Sequence, residues 1–441
     1  MTQDGGRELP RILDFKDLAF LAVGSVIGSG IFLVPAPVLR ACGGSVPLAL
    51  GVWAGAGVLC MLGALTYGEL CTRRPEAGGL YVFVGEAFGR LPAFLYGWTL
   101  FLVIATGAVA TLAVAFATYL QEFVTLGPLA KQAVAVLMIA VVAALNVRGT
   151  RASADVQNWT TAVKAGGVAL LSLLLLARGS RISEASPPLA SDFNLVAGIG
   201  AALVSVLWAY EGWQFVTYSA GETLNPQRNL PRGLAVGTLV LVVLYLLANL
   251  GYLAVLGPAG VMGADRVASQ AATAVLGPVA GRLLAGVALV AMFSAANSIV
   301  LTSPRVYFAM ARDGLFFRRL AEVHPRFETP AIAILAGSTW SALLAVTGTF
   351  EQLLTYVVYS GWIFYGLGAG AIFIYRRREP DAPFKVPGYP WTPALFVAAA
   401  AFIVANTLAT RPREALVGSG IVLLGLPAYL FWRRGAAGSK N

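Results

Sequence analysis

Apolar stretches of about 20 residues recur along the whole chain, separated by short polar connections; at 1.5 Å per helical residue such stretches match the ~30 Å hydrocarbon core of a bilayer. The pattern predicts an all-α integral membrane protein with twelve crossings, near residues 18–40, 46–68, 92–120, 131–147, 153–177, 194–218, 233–256, 275–303, 331–347, 353–375, 392–409 and 415–432. Residues 1–17 are polar, and the first apolar segment is long for a secretory leader and lacks a cleavage site, so it reads as a mature first span.

Two spans carry interruptions. In the first, Gly24-Ser25-Val26-Ile27-Gly28-Ser29-Gly30 breaks an otherwise apolar run. In the sixth, Trp208-Ala209-Tyr210-Glu211-Gly212-Trp213 sets a carboxylate and a glycine between bulky aromatics. The spans between them make these two helices cross in opposite directions. Interrupted helices at matching places in two inverted halves point to a small-molecule site near the bilayer midplane. Gly28 sits roughly 15 Å from Leu18, close to that midplane. The half-helix starting at Ile31 would aim free N–H groups and the positive end of its dipole at a carboxylate. The half-helices ending near Ile27 and Tyr210 would offer carbonyls to an ammonium group. Together they suit the backbone of an α-amino acid. For Gly28-Ser29-Gly30 taken alone, close helix packing is the competing reading.

Lys164 lies about 16 Å into the fifth span, too deep to snorkel, and an ionisable group there marks function by default. It would supply a fixed positive charge, titrate, or serve as a structural lysine bonded to free carbonyls. Glu211 would attract a cationic substrate, take part in proton coupling, or pair with an internal cation such as Lys164. Trp208 is the aromatic best placed to gate the site.

Composition narrows the choices. The 441 residues are 58% hydrophobic and 12% charged, too apolar for a soluble surface. The net charge of +10 does not point to nucleic acid, because it is sorted by side. Of 31 Lys and Arg, 22 fall on one side of the alternating spans, 8 on the other, and Lys164 lies within a span. The rich side includes Arg7, Arg73, Arg228, Arg232, Arg305, Arg376, Arg434 and Lys440; the poor side includes Arg40, Arg181, Arg266 and Arg282. This bias places both termini in the cytoplasm of an inner, plasma-type membrane. The basic run after Arg376 serves as a topology anchor or touches anionic lipid headgroups. Polar stretch 304–330 is expected to hold short connecting helices. Cys42, Cys60 and Cys71 read as small apolar fillers. One histidine, His324, leaves no multi-histidine metal site, and neither a cofactor nor an enzymatic nucleophile–base set is expected.

The motifs also carry a resemblance. Gly28-Ser29-Gly30-Ile31-Phe32 with Pro35, Tyr67-Gly68-Glu69-Leu70, Gly78-Gly79-Leu80-Tyr81 and Glu86-Ala87-Phe88-Gly89 resemble the amino acid–polyamine–organocation superfamily. Asn146-Val147-Arg148-Gly149, Gln157-Asn158, Lys164, the Trp208 to Trp213 run, Glu222 with Asn225-Pro226, Arg312-Asp313-Gly314 and His324-Pro325-Arg326 resemble its L-type amino acid transporter branch. The ordered set covers residues from about 12 to 390.

The resemblance implies a five-plus-five inverted repeat, about 14–178 and 192–376, with helices 1 and 6 unwound and two further helices over 391–432. It implies sodium-independent amino acid transport, usually by exchange. Carried onto this chain, Val26, Ile27, Ser29, Gly30 and Ile31 with Trp208, Ala209, Tyr210 and Glu211 would bind substrate. Lys164 would occupy the place of sodium and bridge helix 1 to helix 8 near Ser294 and Ser298. Gly361, Tyr356 and Tyr359 are plausible pocket neighbours. The loop Leu126 to Lys131 lacks the cysteine that joins eukaryotic L-type carriers to a glycoprotein, so a stand-alone carrier of the bacterial kind is expected. The competing functions are a proton-coupled symporter and, in another class, an amino-acid-binding membrane sensor.

Overall fold

The computed structural model describes residues 9–180 and 193–438. Arg7, Arg181, Lys440, the side chain of Arg434, and residue 192 at the expected start of the second repeat lie outside the described residues. Among the described residues the chain is all-helical, with an isolated bridge between Leu13 and Thr223.

The first span is broken as its glycines suggest. Helix α1, Phe15–Val26, starts at a reciprocal cap: the Asp17 amide donates to Asp14 Oδ1 at 2.9 Å and the Asp14 amide to Asp17 Oδ2 at 3.1 Å. Ile27 leaves helical geometry, and the chain resumes as α2, Gly30–Leu33, and α3, Pro35–Ala41. Helix α4, Val46–Arg73, is followed by a short α5, Leu80–Phe88. The third span is α6, Arg90–Thr99, and α7, Ala105–Leu120, joined by a π turn over Leu100–Ile104. Such a turn frees carbonyls in the helix ladder. Trp340 Nε1 donates to the Leu102 carbonyl at 2.9 Å and Thr106 Oγ1 to that of Phe101 at 2.7 Å.

Next come α8, Pro128–Val147, and α9, Thr150–Arg178. The sixth span is α10, Leu195–Ala209, then a turn, then a 3₁₀ segment, Trp213–Glu222. Helix α11, Pro226–Met262, runs 37 residues and kinks where Gly257, at φ 67°, precedes Pro258. Beyond it lie α12, Val267–Leu276, α13, Pro278–Thr302, and α14, Pro304–Arg312. Then come α15, Ala331–Thr347, α16, Phe350–Arg378, α17, Trp391–Thr410, and α18, Pro412–Gly438.

Eleven helical stretches among the described residues are long and apolar enough to cross a membrane; α15, with 17 residues, is a shorter apolar helix. Stretch 304–330 holds α14 and a 3₁₀ turn at Arg318–Ala321, the short helices expected there. Helices α5 and α12 have no counterpart in the predicted spans. Large apolar side chains such as Leu137, Leu170, Leu239 and Leu424 stand on outer faces, the surface hydrocarbon would cover. A set of polar side chains, Lys164, Glu211, Glu222 and Asn297 among them, is buried inside the bundle. Helix α1 packs against α9, α11 and α13, which puts both sides of its break in the protein interior.

Candidate functional site

The two breaks lie against each other. A Cβ on Gly30 would run into the backbone of Ala209, and one on Gly212 would lie 2.8 Å from the Ser25 carbonyl oxygen. Gly212, at φ 129°, can make that turn because it has no side chain. Ser25 Oγ donates to the Gly212 carbonyl at 3.0 Å, and Trp208 Nε1 to Ser29 Oγ at 3.3 Å. The site residues of both breaks are thus in mutual contact and buried.

Unwinding frees backbone groups, and their partners define the chemistry. Lys164 is fully buried; its Nζ donates to the Gly24 carbonyl at 2.5 Å, to that of Ile27 at 2.8 Å, and to that of Ala291 on α13 at 3.4 Å. Tyr245 of α11 donates to the Val26 carbonyl at 3.0 Å. The carbonyls of Val26 and Ile27, expected to meet a substrate ammonium, are therefore engaged by the protein's own donors. The amides of Gly30 and Ile31 stand at the head of α2, where helix geometry supplies no intrahelical acceptor, and among the described residues they make no hydrogen bond. Helix 1 thus offers donors to an anion more readily than acceptors to a cation.

Lys164 does reach α13, but one turn before the expected place. Ser294 Oγ accepts from Thr160 Oγ1 at 2.8 Å, and Ser298 Oγ donates to the Leu21 carbonyl at 3.5 Å. Neither serine is hydrogen-bonded to the lysine. Below them, Asn297 receives Asn146 Nδ2 at 2.9 Å and donates to Gln157 Oε1 at 3.1 Å, a polar seam tying α8, α9 and α13.

Glu211 does not pair with Lys164. Its Oε1 accepts from Gln214 Nε2 at 2.5 Å and from the Tyr365 hydroxyl at 2.5 Å, both neutral donors. Among the described residues it forms no ion pair. Sequence reasoning missed Gln214 and Tyr365. Tyr365 lies one turn beyond Gly361, where a Cβ would meet the Tyr365 ring at 2.9 Å, so the glycine makes room for it. Tyr359 points away, sharing a 2.7 Å hydrogen bond with Ser419 of α18. Tyr210 is buried, its ring 5.9 Å from that of Trp53 on α4 and 5.0 Å from that of Tyr245 on α11. It contributes backbone to the break while its ring packs.

A vestibule lies at each end of the bundle. One, of about 970 Å³, is lined by Arg11, Glu76, Tyr81, Glu86, Arg90 and Asp313. Burial pushes the Tyr81 hydroxyl up beyond the ordinary tyrosine range, so it stays a donor to Asp313 Oδ2 at 2.7 Å. The other, of about 550 Å³, is lined by Glu122, Asp265, Arg266, Ser269 and Arg282. Residues of the breaks line neither vestibule. Toward the first, the amides of Ile12 and Leu13 donate to the Glu222 carbonyl at 2.8 and 2.9 Å, and the Glu222 carboxylate pairs with Arg305 at 2.6 Å. Toward the second, Arg266 pairs with Glu122 and Arg40 Nη1 donates to the Met262 carbonyl at 2.6 Å. The residues of the breaks are buried away from both vestibules.

Two interrupted helices meeting at a buried polar site between opposed vestibules are the arrangement expected of a membrane carrier. The chain belongs to the amino acid permease family, which it matches over residues 13–428. It is 32% identical over 434 residues to the serine/threonine exchanger SteT of Bacillus subtilis (strain 168), covering 97% of this chain and 98% of that protein. It is also 32% identical over 422 residues to the b(0,+)-type amino acid transporter 1 of Rattus norvegicus, covering 93% of this chain and 86% of that protein. With the large neutral amino acids transporter small subunit 2 of Mus musculus it shares 30% over 441 residues, covering 97% of this chain and 83% of that protein.

Proposed function

We propose that this protein is a sodium-independent amino acid exchanger that works by alternating access. The observation that carries the reading is Lys164: an ammonium group already bridges helix 1 to α13, so no soluble cation need be recruited there. The substrate carboxylate sits on the amides of Gly30 and Ile31, the sixth-span break around Ala209 and Tyr210 faces the amine, and Trp208 closes over it. The name of the Bacillus subtilis relative, a serine/threonine exchanger, supports exchange, and serine and threonine are the first substrates to try.

The finer architecture follows the same reading. Helix α15, at roughly 25 Å, is long enough to cross a thin or locally thinned bilayer, which makes twelve crossings. The first and sixth spans are then the opening helices of two inverted five-helix halves, with α17 and α18 added. The arginine bias puts both termini in the cytoplasm, and the cysteine-free loop before α8 suits a carrier without a disulfide-linked partner.

Purified protein in liposomes preloaded with serine is expected to take up labelled serine, while unloaded liposomes accumulate little. Uptake into unloaded vesicles driven by a pH gradient would replace exchange with proton symport. Measurable binding with no flux would return the sensor reading.

Glu211 is the residue we assign to charge selection, because neutral donors hold its carboxylate and a cationic side chain would complement it. Glu211→Gln keeps the shape and removes the charge. Inhibition of uptake by lysine and arginine should weaken roughly tenfold, the worth of one charge-assisted hydrogen bond, with serine affinity changed less than about twofold. Equal loss for all three substrates would remove Glu211 from that role.

A further inference from the structure

At the arginine-rich end of the bundle, away from both vestibules, the outer surface holds a groove of about 480 Å³. Its polar wall is Arg228, Arg232 and Gln227 at the start of α11; its apolar wall is Leu65 of α4, Ala235, and Phe384 of the loop before α17. The lining contains no acidic residue. Both arginines are exposed, and among the described residues neither guanidinium has a hydrogen bond or an ion pair. The acids of the neighbouring loop are engaged elsewhere, Glu379 by Arg74 at 2.6 Å and Asp381 by Lys385 at 3.2 Å.

The groove is built rather than incidental. Phe384 is held in place because the next loop amide but one, that of Val386, donates to the buried Glu69 carboxylate at 2.7 Å. Arg73 Nη1 fixes the same loop through the carbonyls of Glu379 at 2.6 Å and Asp381 at 3.2 Å. At its floor α4 and α11 nearly touch: a Cβ on Gly68 would lie 3.2 Å from Pro231 Cα and 3.5 Å from the Phe384 ring.

What leaves the groove decides its ligand. Arg228 and Arg232 are one turn apart on α11, and the same stripe continues as Val236, Leu239 and Val243, which are 44%, 55% and 48% exposed. From Arg232 to Val243 the stripe runs roughly 16 Å, about half a hydrocarbon core. Two unpaired guanidiniums at the interface, followed by an apolar track into the bilayer, match a phosphate headgroup with its acyl chain below it.

We propose that this groove binds an anionic phospholipid of the cytoplasmic leaflet, with its phosphate on Arg228 and Arg232 and one acyl chain along α11. The leaflet rests on the topology given above; the binding itself does not depend on the exchange reading.

Native mass spectrometry of the full chain in detergent tests this directly, with phosphatidylglycerol and phosphatidylcholine added separately. The phosphatidylglycerol adduct should exceed the phosphatidylcholine adduct about tenfold, and R228Q/R232Q should lower it by about tenfold, each arginine near an anionic surface being worth a few-fold. Should the double variant fail to purify, either single substitution serves, with about a threefold loss expected. The control R318Q/R319Q, at the same end of the bundle, should leave the adduct unchanged. Equal adducts from both lipids, an equal loss in the control, or displacement of phosphatidylglycerol by millimolar inorganic phosphate would each overturn the proposal. Exchange measured in the same variants tells the readings apart: loss of lipid with exchange intact leaves the carrier assignment standing.

Discussion

Lys164→Ala is expected to stop exchange while the protein still inserts and purifies as a single species. The ammonium holds the carbonyls of Gly24 and Ile27, and its removal leaves both buried and unpaired. An orphaned buried acceptor costs about 1–3 kcal/mol, so two of them are enough to lower turnover by roughly a hundredfold if the cycle passes through the closed state. Water admitted to the space would recover part of the stability but not the bridge between α1 and α13. Initial exchange rates in proteoliposomes, set against thermal unfolding in detergent, separate a lost cycle from a lost fold. Turnover within about twofold of the parent would show that the lysine is a structural plug.

Gly30→Val is expected to abolish substrate binding. Even a first added carbon at Gly30 meets the backbone of Ala209, and Ala209 N would lie only 3.3 Å away. A branched side chain forces the two breaks apart and covers the amides of Gly30 and Ile31. Overpacking of this kind costs about 1–3 kcal/mol in stability, while affinity for amino acids should fall at least about a hundredfold. The comparison is the thermal shift produced by saturating substrate, made on protein that elutes as a monodisperse peak. A normal shift would place the carboxylate site elsewhere.

What the amino-acid sequence announces differs from residue to residue. The break in the first span was legible because glycine and serine in an apolar helix have few other uses, and Lys164 because charge at that depth is rare. Both are local signals. The partners of Glu211 were not legible: Tyr365 comes from α16, and its place beside Glu211 depends on how α16 packs against the sixth span. Helix α11 begins at Pro226, seven residues before the predicted span, because hydropathy marks where lipid starts rather than where the helix does, and Arg228 and Arg232 hide its first turns. The acceptor Lys164 finds on α13 is hidden for a similar reason. Serines at 294 and 298 look like partners for a lysine, but the group it meets is the main-chain carbonyl of Ala291, which no side-chain pattern announces. Helix α12 is bounded by Gly277, at φ 83°, and is too short and too mixed to stand out from a connecting loop.

The three cysteines carry a practical consequence. Cys42, Cys60 and Cys71 are each at most 1% exposed, so the native chain shows no thiol to a water-borne alkylating reagent in the closed form. A single cysteine placed at Ser25, buried in the closed form, would be labelled only once a mouth opens, without first stripping the protein of its own thiols.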